Sequence, residues 1–123
     1  HCMRDATRGG LGAILVEIAQ QAGFTIEIQE QSIPVREEVK GVCEILGLDP
    51  LFLANEGKMV AFCPSDQADT VLSAMRSHPY GKDATVIGTV KPAQGKGRLI
   101  MHTLIGGSRE VDMPTGELVP RIC

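Results

Sequence analysis

The sequence has no tryptophan, one tyrosine and three phenylalanines among its 123 residues. An aromatic core is excluded, so any core is aliphatic, filled by Leu, Ile, Val and Met. It has no basic block. The 12 Lys and Arg and 15 Asp and Glu are interspersed and leave a net charge of -3, which argues against nucleic acid or an anionic membrane as the main partner. No apolar run approaches the roughly 20 residues of a transmembrane helix. No secretory signal pattern is visible, and a reducing, cytoplasmic setting with free thiols is the expectation. None of the four cysteines, Cys2, Cys43, Cys63 and Cys123, stands in a C-x-x-C pair, which argues against a zinc knuckle or a thioredoxin-type dithiol. No His/Cys/Asp cluster marks a metal site.

What is present suffices for one domain with a real core. Hydrophobic residues make up 43% of the chain, too many for a disordered tail. The first residue is His1, just ahead of a well-formed helix start, and this reads as a piece cut from a longer protein. Residues 7–22 predict a helix with Leu11, Ile14, Leu15, Ile18 and Ala22 on one stripe. Asp5 or Thr7 caps its start and Gly23 closes its end. Residues 24–30 alternate as a half-exposed strand. Ser32 as cap and Pro34 in the first turn predict a second helix, with Val35, Val39, Val42, Cys43 and Leu46 inward. Residues 48–58 are irregular. Residues 59–63 are wholly apolar and predict a strand central in a sheet, which would bury Cys63 as well as Cys43.

A third helix after Pro64-Ser65 turns Ala68, Val71, Leu72 and Met75 inward. Strands are predicted over 84–91, 98–105 and 109–113. The order α-β-α-β-α-β-β-β predicts an α+β fold, a mixed β-sheet with helices packed on it. The folded domain is expected over residues 1–114. Residues 115–123 carry Gly and Pro without a period and read as a flexible tail. Nine residues at about 3.3 Å each reach roughly 30 Å.

Three places can carry chemistry. In Asp5-Ala6-Thr7-Arg8-Gly9-Gly10 a glycine pair opens a helix, where exposed N–H groups and the helix dipole suit a phosphate. The alternative is a capped helix whose glycines permit close packing. In Ala54-Asn55-Glu56-Gly57-Lys58 a carboxylate sits in an irregular loop just before a strand, a position for a general base or for a solvated turn. Cys123 is a thiol on the last residue, where a tail could offer it to one site and then another. Arg121 lowers its pKa and the terminal carboxylate raises it. His78 reads as a helix-end cap and His102 as a satisfied strand residue.

The segment Asp5-Ala6-Thr7-Arg8-Gly9-Gly10 resembles the D-x-T-R-G-G motif of the aminoimidazole ribonucleotide synthetase (PurM-like) superfamily. Residues 46–58, Pro79-Tyr80-Gly81-Lys82-Asp83-Ala84, Val111-Asp112-Met113-Pro114 and the ending Pro120-Arg121-Ile122-Cys123 are similar to stretches of one branch, the HypE family of hydrogenase maturation factors. The matches span nearly the whole chain, and the Cys-terminated ending is the specific one.

The resemblance implies a PurM C-terminal-like domain of a two-domain, dimeric enzyme, with the N-terminal ATP-binding domain outside this chain. In the family, the partner HypF places a carbamoyl group on the terminal Cys. ATP with Mg²⁺, held mostly by the other domain, then drives dehydration to a thiocyanate. The cyanide passes to iron on the HypC-HypD complex for [NiFe]-hydrogenase. Cys123 matches the carrier thiol and Glu56 the base, and Thr7, Arg8, Gly9 and Gly10 match the nucleotide-facing segment. Two other readings of the chain are a docking module without chemistry of its own, and half of a sister ATP-dependent kinase or synthetase.

Overall fold

The computed structural model describes residues 2–113. The tail over 115–123, with Cys123, lies outside the described residues. Three helices and six strands occur among them: β1 (Cys2–Asp5), α1 (Gly10–Ala22), β2 (Phe24–Gln29), α2 (Glu37–Leu46), β3 (Met59–Phe62), α3 (Ala68–Arg76), β4 (Gly88–Pro92), β5 (Arg98–His102) and β6 (Ser108–Val111). The fold is mixed α+β, as expected.

The main sheet runs β4-β2-β5-β6. Its inner strands β2 and β5 are parallel and the outer pairs antiparallel. Alternation along β2 and β5 turns Ile26, Ile28, Leu99 and Met101 to one face. There α1 covers them with Leu15, Val16 and Ala19, and Leu51 and Val111 complete the cluster. Leu99 is fully enclosed. The helix starts at Gly10, not at residue 7. Of the predicted stripe Ile14 and Leu15 are buried, Leu11 and Ile18 half-buried and Ala22 exposed, while Gly12, Ala13, Val16 and Ala19 are inside too. A second neighbour contributes: a 3-10 turn over Pro50–Phe52 packs on α1 at Gly10 and Gly12 and sends Leu51 into the same core.

Four further expectations fail. The apolar strand β3 is not central in a large sheet. It pairs only with β1, in a two-stranded ribbon. Val60 and Phe62 face the core while Met59 is more than half exposed, so the apolar run marks a ribbon with one covered side. Cys63, just past its end, is exposed, whereas Cys43 is buried as expected. The strand β1 went unread because Cys-Met-Arg-Asp has no alternation.

The second helix starts at Glu37, not near Pro34. Ile33, before the proline, and Arg36 are both extended, and Ile33 has the conformation that a following Pro imposes. Of its predicted inward residues Cys43 is buried, but Val42 and Leu46 are largely exposed. The third helix turns Ala68, Val71, Leu72 and Met75 to its less exposed side, as predicted.

On the face of the main sheet away from α1, Glu27 accepts from Lys91 Nζ at 2.9 Å and lies 3.4 Å from His102 Nε2. The Lys91 hydrogen bond, then the His102 one, hold the Glu27 carboxyl below the ordinary glutamate range. A carboxylate whose folded pKa is depressed contributes stability that is present above its unfolded pKa. That contribution is lost as pH falls through the folded value.

Two outcomes are expected. Leu99→Ala removes a fully enclosed side chain and lowers stability by about 2–5 kcal/mol in urea titration. Glu27→Gln costs stability at neutral pH, and the deficit relative to wild type shrinks as the pH drops through the acidic range. A deficit that stays constant across that range would show that the ion pair contributes nothing.

Candidate functional site

The two loop segments singled out in the sequence meet at the open end of the β1–β3 ribbon. The last ladder pair sets Asp5 opposite Met59. Beyond it, the buried Ala6 bridges the two segments. Its N–H donates to the Lys58 carbonyl at 3.2 Å, and its carbonyl accepts from the Asn55 N–H at 3.1 Å. Glu56 and Gly57 are thus bracketed by bonds to the residue that precedes Thr7-Arg8-Gly9-Gly10.

The helix start is shaped by one side chain and two glycines. An Asp5 carboxylate oxygen accepts from the Thr7 N–H at 3.2 Å, an Asx turn ahead of the helix. Neither Asp5 nor Thr7 caps α1 as expected, because the chain turns at Gly9, which holds the cap position without a side-chain bond. Gly9 and Gly10 follow with φ of 69° and 72°, a region that side chains rarely occupy. Gly10 is buried, and a Cβ there would press on the Leu53 carbonyl and lie 2.8 Å from that of Leu51. At Gly12 a Cβ would lie 2.9 Å from the Phe52 ring. Gly10 therefore serves close packing of α1 against the 51–53 backbone, and Gly12 against the side chains of Leu51 and Phe52.

A cavity of about 440 Å³ opens beside this start, lined by Arg4, Asp5, Thr7, Arg8, Ile14 and Glu17. Arg4 lies 4.0 Å from Glu17. Among the described residues Arg8 makes no ion pair, so its exposed guanidinium can meet an anion. Thr7 is half-buried, while Gly9 and Glu56 are exposed. Glu56 lies outside this lining and makes no hydrogen bond among the described residues, which leaves its carboxylate available as an acceptor. The structure thus brings Thr7, Arg8, Gly9, Gly10 and the Glu56 loop together.

Of the histidines, His78 accepts from the Tyr80 N–H at 3.2 Å as a cap, and His102 belongs to the Glu27 cluster. No group of three or more His, Cys, Asp or Glu able to hold a metal ion occurs among the described residues. Among the described residues no helix is long and apolar enough to cross a membrane. The ion pair between Asp49 and Arg109, at 3.2 Å, went unnoticed in the sequence. The only signal was Asp49-Pro50, a cap-and-proline start for the turn that follows.

Residues 1–100 match the family described as AIR synthase related protein, C-terminal domain. The chain belongs to this family. The carbamoyl dehydratase HypE of Azotobacter vinelandii is 53% identical over 123 residues, covering 100% of this chain and 36% of that protein. The crystal structure of a hydrogenase maturation protein HypE in complex with ATP superposes with a TM-score of 0.92 at 42% identity, covering all of this chain and 38% of the other. In the crystal structure of a HypE-HypF complex the values are 0.84 and 46%, over 91% of this chain and 36% of the other. The chain therefore spans about a third of the length of the proteins it matches.

Gly10→Ala is expected to destabilise the domain by about 1–3 kcal/mol, from the left-handed strain and the collision together. Gly57→Ala, at φ 76° with nothing near its Cβ, carries only the conformational cost, about 1 kcal/mol. Urea titrations compare the two. Equal losses would show that the approach of α1 to the 51–53 backbone is not tight.

Proposed function

We propose that this chain is the carboxyl-terminal part of a HypE-type carbamoyl dehydratase, acting in the cytoplasm in hydrogenase maturation. Cys123 accepts a carbamoyl group from HypF. ATP activates the amide oxygen of that group, and loss of the two N–H protons leaves a thiocyanate on the sulfur. Per turnover, one thiocarbamate and one ATP give one thiocyanate, ADP and phosphate. At the HypC-HypD complex the S–C bond then breaks: a reductant of that complex supplies two electrons, iron takes the cyanide, and Cys123 leaves as the thiolate. The full protein is a homodimer, and its other domain supplies most of the nucleotide site.

The observation that carries this reading is the Ala6 bracket, which sets the Glu56 loop against the Thr7-Arg8-Gly9-Gly10 start. A base must come within hydrogen-bond reach of the proton it removes, and Glu56 has an exposed carboxylate without a partner among the described residues. Arg8, beside a cavity and without an ion pair among the described residues, suits the charge of a triphosphate. Thr7 adds a hydroxyl. Mg²⁺ comes with ATP and is held mostly by the other domain. A sulfur carrier fits the product, because cyanide held as thiocyanate is delivered without release.

The test is mass analysis of the C-terminal peptide of the full protein after incubation with HypF, carbamoyl phosphate and ATP. Wild type should pass from the carbamoyl to the cyano adduct on Cys123, and Cys123→Ala should carry neither. Glu56→Gln should load normally and dehydrate about 10²–10⁴-fold more slowly. Cyano product at wild-type levels from Cys123→Ala would overturn the reading.

A further inference from the structure

The segment over 48–58 joins α2 to β3 and carries Glu56. Its upstream end is fastened by Asp49, one of whose carboxylate oxygens accepts from the Leu51 N–H at 2.9 Å. The other accepts from Arg109 Nη2 at 3.2 Å. Arg109 stands on β6, opposite Met101, so its side chain leaves the sheet on the face where α1 and the 50–52 turn pack. Among the described residues this is the one side-chain hydrogen bond from the segment to the main sheet. The downstream end is fastened by the backbone bonds of Ala6 to Asn55 and Lys58. Between these ties lie Leu51, in the core, and the carbonyls of Leu51 and Leu53, against Gly10.

We infer that the Asp49–Arg109 pair is a positioning clamp for the dehydration step. It fixes the loop bearing Glu56 relative to β6, the strand that leads toward Cys123. One guanidinium thus ties the base's segment to the edge strand of the main sheet, and Cys123 follows Arg109 by fourteen residues in sequence. The pair is 48% and 37% exposed, and such pairs contribute at most about 1 kcal/mol to global stability. Small displacements of a catalytic group, however, cost far more in rate than in stability. The pair's effect should therefore fall on rate. This inference rests on the proposed dehydratase reading for its catalytic half and on the geometry alone for its positional half.

The experiment uses the full protein with Arg109→Ala and Arg109→Lys. Hydrogen exchange of the peptide over 50–58 should accelerate about tenfold in Arg109→Ala, with the main sheet unchanged. In the same variant, cyano-adduct formation from protein already carbamoylated should slow about tenfold or more, with carbamoyl loading and the KM for ATP unaltered. Arg109→Lys, which keeps one charged donor, should recover part of both. Exchange over 50–58 at the wild-type rate, or losses that track global unfolding equally in both variants, would overturn the clamp. If wild type itself forms no cyano adduct, the dehydratase reading fails, and the exchange measurement still decides whether the clamp holds the loop.

Discussion

Two stretches of backbone touch with no side chain between them where α1 begins, at Gly10 against the carbonyls of Leu51 and Leu53. Much else follows from that contact. It lets the 50–52 turn close on α1, so that Leu51 enters the same core as Leu15 and Leu99. It also brings the chain after Leu53 within reach of Ala6, whose two backbone bonds then close the loop around Glu56. A methyl group at Gly10 would push the turn away, and the loop with it. Core packing and site geometry share this one constraint.

The helices were largely legible because their apolar residues recur at helical spacing. The four strands of the main sheet were legible, with ends a few residues off. The 98–105 prediction overran because Thr103 to Gly107 is a hairpin turn, bonded from the Thr103 N–H to the Gly107 carbonyl at 2.8 Å. Apolar content alone could not say that β3 belongs to a ribbon, since a run covered on one side and a run covered on both look alike when short. The ribbon's other strand, Cys-Met-Arg-Asp, has no pattern at all. The site residues were legible as motifs, but their meeting was not: Ala6 and Asn55 are far apart in the chain, and only β1–β3 pairing brings them together. The Asp49–Arg109 pair, likewise, joins a turn to an edge strand that no local pattern connects.

On the dehydratase reading, the division of labour in this domain follows from what each part can supply. Removing protons from a small amide requires a base held to within fractions of an ångström. The Glu56 loop is tied by backbone bonds to a ribbon and by a buried leucine to a core. Accepting and delivering a cyano group requires a thiol that visits more than one site, and a terminal residue is suited to that. The charge on Arg8 suits an anion, whereas no metal cluster occurs among the described residues.

The core is complete only around α1. One side of the main sheet, α1 and the 50–52 turn enclose each other, and the largest fully enclosed side chains, Leu15, Ile28, Leu99 and Val16, all lie there. Away from that centre the apolar surface is open. Ile45 and Leu46 on α2 are 83% and 62% exposed, and Met3 and Met59 lie bare on the ribbon. The Glu56 loop sits on the border between these regimes, with Leu51 and Gly10 on the closed side and the outer face of the ribbon on the open side. A loop placed so is stiff where it meets the core and accessible where it faces outward. That combination is what a base needs when its substrate arrives on a separate carrier. A fully buried glutamate would be desolvated and held from its substrate, and one on an untethered loop would not hold its distance to the amide.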